Sequence, residues 1–197
     1  TIMIGSHFDS VKHGGAYDGI AGVVCAIEVA RLLKESGMEL GYSLEVIATN
    51  DEEGARFNAG LFTGKALLGQ LTCEELKTQV DVDGISVYQA MAAYGLKPEE
   101  IAEHKRDDIK AFIEIHIEQG PVLEAEHKEI GIVDVIVGIK RARIRINGRA
   151  DHAGTMPMHM RKDALEQATK VISKIGDRAR LFRNCVATVG FLQVEPN

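Results

Sequence analysis

A chain of 197 residues, 45% hydrophobic and 26% charged, can hold one good core or one domain with part of another, and these proportions exclude wholesale disorder. The net charge of −6 comes with no basic cluster that could follow a phosphate backbone, so nucleic acid is not an expected partner. No apolar run approaches the roughly 20 residues of a membrane span, no charged-then-apolar leader opens the sequence, and Cys25, Cys73 and Cys185 lack C-x-x-C spacing, which indicates isolated thiols in a reducing, cytoplasmic setting.

The opening Thr1-Ile2-Met3-Ile4 reads as a buried strand already under way, leading into Gly5-Ser6-His7-Phe8-Asp9. From Gly19 to about Glu35, apolar residues at Ile20, Val23, Val24, Ile27, Ala30 and Leu33 predict a helix. Ala21, Cys25, Val29 and Leu32 fill much of the remainder, so the helix is expected to be buried on most sides and to end near Gly37. Leu44-Glu45-Val46-Ile47-Ala48 predicts a central strand that runs into Asn50-Asp51-Glu52-Glu53-Gly54. Strand, helix, strand over this length is a βαβ unit, so the expected class is α/β, a mostly parallel sheet flanked by helices. The stretch from about Gly60 to Arg106 suggests short helices and turns, and Ala111 to His116 a further strand.

Past Val137-Gly138 the pattern changes. Ala142, Ile144 and Ile146 alternate with Arg143, Arg145 and Asn147, the period of an antiparallel strand with one wet face. A helix from about Lys162 to Leu181 and a strand from Val186 to Val194 follow. The change predicts a boundary there, with 1–137 a mostly parallel α/β domain and 138–197 part of an α+β domain. A start without Met in mid-sheet and a stop just after a strand are expected of an internal piece of a longer polypeptide.

Parallel sheets gather ligands beyond the carboxyl ends of their strands. His7 and Asp9, Glu52 and Glu53, and His116 all follow predicted strands, and Asp18 stands where the first helix opens. Taken singly, each has a plainer reading: Asp18 as a helix cap, Glu52-Glu53 as a solvated turn, His116 as a hydrogen-bonded core histidine. Their coincidence at one sheet edge favours a metal site. A His/Asp/Glu set without cysteine suits zinc, manganese or cobalt, and a carboxylate left over beside the ligands is what a metal-activated water needs as its base.

The segments Gly5-Ser6-His7-x-Asp9, Tyr17-Asp18-Gly19, Glu52-Glu53-Gly54-x-Arg56-Phe57, His116-Ile117-Glu118-Gln119-Gly120-Pro121 and His152-Ala153-Gly154-Thr155-Met156-Pro157-Met158 resemble, in order, the signatures of a family of two-metal amidohydrolases. That family includes N-carbamoyl-L-amino acid hydrolase, allantoate amidohydrolase and β-ureidopropionase, within the aminoacylase and carboxypeptidase superfamily. His116 is the most specific point, because peptidase branches generally place Asp or Glu there. The resemblance implies a zinc-peptidase-like catalytic domain, a lid that also forms a homodimer, and two divalent ions, zinc, manganese, cobalt or nickel. By the same resemblance Asp18 bridges both ions, His7 and His116 complete one, Glu53 binds the other, Glu52 is the general base, and Asp9 orients the His7 imidazole. Gln119 helps hold the substrate. His152, in the lid, stabilises the tetrahedral oxyanion and in several relatives comes from the neighbouring subunit. The implied substrate is a small molecule with a carboxylate and a carbamoyl or ureido group.

Two departures stand out: Asp151 precedes His152 where relatives usually have Asn, and Met156 replaces a second Thr. The family's remaining histidine ligand, and the Asn and Arg that hold the substrate carboxylate, are expected beyond residue 197, so this length of chain is expected to be inactive alone. The alternatives are a dipeptidase or aminoacylase of the same superfamily, against which His116 and Gln119 weigh, and a non-catalytic binding fragment, against which Glu52 weighs.

Overall fold

The computed structural model describes residues 1–196. Met3, Ile4, Gly5, Ser6 and His7 are buried in unbroken succession, which is what a strand covered on both faces requires, and they form most of β1 (Ile2–His7). β1 is the centre of a three-stranded sheet of order β2-β1-β3, parallel to β2 (Leu44–Thr49) on one side and to β3 (Ala111–Ile113) on the other. The register pairs Ile2 with Leu44 and with Ala111, so all three strands end toward the same edge. Gly5 permits the closest part of this pairing, since a Cβ there would lie 1.9 Å from the Ile47 carbonyl oxygen.

α1 (Ile20–Glu35) crosses between β1 and β2, and the chain leaves it through Gly37 at φ 67°, as its C-terminal glycine implies. Only Gly22, Val23 and Ala26 of α1 are buried; Val24, Ile27 and Leu32 are more than half exposed. The expected burial on most sides is therefore met on one face only, the face that packs on β1 and β2, because nothing among the described residues covers the other. β3 is also shorter than the segment ending at His116, and Phe112 and Ile113 on it are exposed.

Between β2 and β3 a separate apolar cluster forms from Ala66, Leu71, Leu76, Val87 and Ile101, with Phe57, Phe62, Tyr88 and Met91 packed around it. Its elements are α2 (Phe62–Leu67), α3 (Cys73–Thr78), α4 (Val87–Ala93) and a 3₁₀ turn over Pro98–His104. Helices this short depend on their ends. Thr72 with Glu75, and Ser86 with Gln89, close reciprocal capping boxes on α3 and α4. One further short helix, α5 (Val122–Ala125), follows β3.

The chain divides into two compact units, Thr1–Ile132 and Val133–Asn197. Within the second, α6 (Ala164–Ala179) starts at Asp163, whose side chain accepts from the Glu166 N–H at 3.0 Å. The alternating segment 142–147 and the segment 186–194 form no strand among the described residues, contrary to the sequence reading. A ladder needs a hydrogen-bonded neighbour, and neither segment has one there, so the alternation shows which face a strand would bury without supplying the partner. No helix among the described residues is long and apolar enough to cross a membrane.

Candidate metal centre

The end of β1 delivers His7, 2% exposed, to the edge where the parallel strands finish. Asp18, 6% exposed, arrives there on the loop before α1. It does not cap the helix. The N-cap is Gly19, at φ 68° and ψ −53°, with no side-chain capping bond, and the Ile20 N–H donates to the Asp18 carbonyl at 2.8 Å. This γ-turn seats the backbone against His7 so closely that a Cβ on residue 19 would lie 2.4 Å from the ring atoms Cε1 and Nδ1 and from the His7 carbonyl oxygen. His116 comes from just beyond β3 and stacks on His7 with ring centroids 5.4 Å apart.

His7, Asp18 and His116 each offer one ligand atom, all within 4.8 Å of one another. The tautomers are fixed from behind. His7 Nδ1 lies 2.7 Å from the Asp9 carbonyl oxygen and His116 Nδ1 lies 2.8 Å from the Ile117 carbonyl oxygen. A carbonyl only accepts, so each Nδ1 carries a proton, and in the neutral imidazole Nε2 is left with its lone pair. Those two Nε2 atoms stand 3.1 Å apart, with Asp18 Oδ1 at 3.8 Å from one and 3.3 Å from the other. Three lone-pair atoms directed at one another repel unless a proton or cation lies between them, and two imidazoles with a carboxylate are a donor set for a borderline divalent ion. The residues present therefore fit such an ion. Gln119, itself at φ 56°, donates from Nε2 to Asp18 Oδ1 at 3.1 Å and holds that carboxylate from the side.

Glu52 and Glu53 follow β2 in a turn whose Asp51 is at φ 54°. Their backbone N–H groups donate to the two carboxylate oxygens of Asp9, each at 3.1 Å. Glu53 stands outside the three-residue group. Burial, and next the nearby Glu114 carboxylate, raise the proton affinity of Glu52 above the ordinary Glu range; burial and then Asp9 do the same for Asp51. Glu114, given no role of its own in the sequence reading, accepts a hydrogen bond from the 1%-exposed Ser6 hydroxyl. The one sequence signal for it is its place two residues before His116. Glu52 and Glu114 share a cavity of about 290 Å³ with Thr49, Leu61, Lys65 and Phe112.

His152 belongs to the second unit. Its Nδ1 accepts from the Gly154 and Thr155 N–H groups at 3.1 and 3.3 Å, so its ring proton sits on Nε2. The neighbouring Asp151 carboxylate is taken by Arg149 Nε at 3.0 Å.

Residues 3–191 match the model of Peptidase family M20/M25/M40. The chain belongs to that family. Within it, the chain is 50% identical over 198 residues to the N-carbamoyl-L-amino-acid amidohydrolase of Paenarthrobacter aurescens, covering 99% of this chain and 48% of the relative. It is 35% identical to the allantoate amidohydrolase of Escherichia coli K12, again over 48% of that protein. Among solved structures, an amidase of the hydantoinase/carbamoylase family from Burkholderia multivorans superposes with a TM-score of 0.76 at 33% identity, covering all of this chain and 47% of the other. The chain spans about half the length of the curated relatives it matches.

Proposed function

We propose that a protein built on this chain is a metal-dependent amidohydrolase that removes the carbamoyl or ureido group from N-carbamoyl-L-amino acids or allantoate. The observation that carries the chemistry is the convergence of two imidazole Nε2 atoms and a buried carboxylate on one point; the substrate class follows the relatives' names. In this reading His7 and His116 would hold one divalent ion, Asp18 would bridge to a second, and Glu53 would serve that second ion. Bound ions of this kind polarise the scissile carbonyl and make hydroxide available near neutral pH. Glu52 takes the proton of the attacking water as its oxygen bonds to the carbamoyl carbon. It returns that proton to the amino-acid nitrogen as the C–N bond breaks, leaving a carbamate that decomposes to ammonia and carbon dioxide. Its raised proton affinity suits a base that must hold the proton between the two steps.

Gln119, whose amide carries a second N–H beyond the one on Asp18, contacts the substrate, and His152 donates from Nε2 to the developing oxyanion. The segment from about residue 138, within the second unit, is assigned to a lid that pairs two copies, which accords with the exposed Ile139 and Ile144. Three free cysteines accord with a reducing, cytoplasmic setting.

The test is ammonia release from N-carbamoyl-L-amino acids and allantoate, with dipeptides alongside, in the presence of zinc, manganese, cobalt or nickel. A protein of the relatives' length is expected to release ammonia only with metal, and the 197-residue chain to release little. Dipeptide cleavage without ammonia release would replace this reading with a peptidase.

A further inference from the structure

We infer that the Asp9 side chain is a positioning residue for the Glu52-Glu53 turn, an inference that rests on Glu52 being the base. Two parts of Asp9 act on two different neighbours. Its main-chain carbonyl accepts from His7 Nδ1 at 2.7 Å, while its carboxylate comes no nearer to that nitrogen than 3.9 Å, beyond hydrogen-bonding reach. The carboxylate instead spans the turn, Oδ1 accepting from Glu52 N–H and Oδ2 from Glu53 N–H, both at 3.1 Å. Asp51, at φ 54°, turns the chain immediately before these two amides.

The carbonyls of the same turn are held from the opposite direction. Glu52 O accepts from Leu61 N–H at 3.0 Å and Asp51 O from Phe62 N–H at 3.2 Å, where α2 begins. Amides on Asp9 and carbonyls on α2 fix the backbone, and the Glu52 side chain is left to the cavity. Any residue at position 9 keeps a carbonyl for His7. Only a side chain with two acceptor oxygens at this length holds both amides; asparagine presents one oxygen and sets an NH₂ against an N–H.

The experiment uses the 197-residue chain, with Asp9→Asn as the near-isosteric variant and Asp9→Ala beside it. Amide hydrogen exchange is read at Glu52 and Glu53, the tautomer at the His7 ring nitrogens by NMR, and cobalt(II) binding by visible absorption. In the wild-type chain both amides are expected to exchange slowly, and that measurement stands even if a variant fails to fold. In the variants their exchange is expected to accelerate about tenfold or more, because the lost acceptor is charged. The Nδ1–H tautomer of His7 and the cobalt affinity stay as in wild type. In a protein of the relatives' length, Asp9→Asn lowers kcat with KM and metal content unchanged. Fast exchange of both amides in wild type, or a variant that loses the His7 tautomer and cobalt affinity with both amides still protected, would overturn the inference. Absence of cobalt binding by the wild-type chain would instead count against the proposed metal site, and the exchange rates would still decide the role of Asp9.

Discussion

Replacing Gly19 by alanine probes the close approach that seats Asp18 beside His7. The new Cβ would stand 2.4 Å from Cε1, Nδ1 and the carbonyl oxygen of His7, against an ordinary carbon contact of about 3.5–4.0 Å. His7 lies in the central, buried strand and cannot retreat as a surface side chain would. Residue 19 also holds a γ-turn at φ 68°, a conformation that costs an L-residue about 1–3 kcal/mol. A ring displaced by about 1 Å loses its bond to the Asp9 carbonyl, a net contribution of roughly 0.5–1.5 kcal/mol. Together the substitution is expected to destabilise the first unit by about 2–4 kcal/mol, a fall in Tm on the order of 10 °C, and to weaken cobalt binding. Circular dichroism melts and a cobalt titration read both effects. A variant that melts with wild type and binds cobalt equally would show that the γ-turn does not press on His7.

Glu52→Gln, in a protein of the relatives' length, is expected to cut kcat by about 10²–10⁴ while metal content by elemental analysis stays unchanged; loss of metal would move Glu52 into the ligand set. Leu76→Ala empties a fully buried position and is expected to cost about 2–5 kcal/mol in urea unfolding; a cost under about 1 kcal/mol would mean that the cluster between β2 and β3 is not packed around it. Arg106 grips Glu45 at 2.9 Å and Asp108 at 2.6 Å, and holds both carboxyls below their usual range. Depressed folded-state values stabilise above the ordinary carboxylate range of about 4 and lose that effect as pH falls through them. The stability gap between wild type and Arg106→Leu is therefore expected at neutral pH and to shrink in strong acid; a gap that widens in acid would reverse the sign.

The parallel core was legible because its evidence is local. Ile2 to Ile4 and Leu44 to Ala48 are largely apolar runs that lead into polar turns, and Gly19 to Gly37 carries helix period and stop together. What depended on a distant neighbour was not. Asp18 as cap or as ligand is decided by the γ-turn at Gly19, which sequence patterning does not encode. The Ser6 to Glu114 bond joins residues 108 apart, so nothing in the sequence showed that Glu114 meets Ser6. The outer face of α1 and the segments 142–147 and 186–194 misled for one reason: apolar pattern states a demand for cover without naming what supplies it.

The central claim is that His7, Asp18 and His116 form a cation site with both Nε2 atoms as ligands. Titrating the 197-residue chain with zinc while following the ring ¹⁵N resonances of His7 and His116 tests it most directly. The account expects both Nε2 signals to move to metal-bound positions in step, both Nδ1 atoms to keep their protons, and His116→Ala or Asp18→Asn to weaken the transition. Nε2 signals that ignore zinc, or that respond while Asp18→Asn and His116→Ala change nothing, would contradict it.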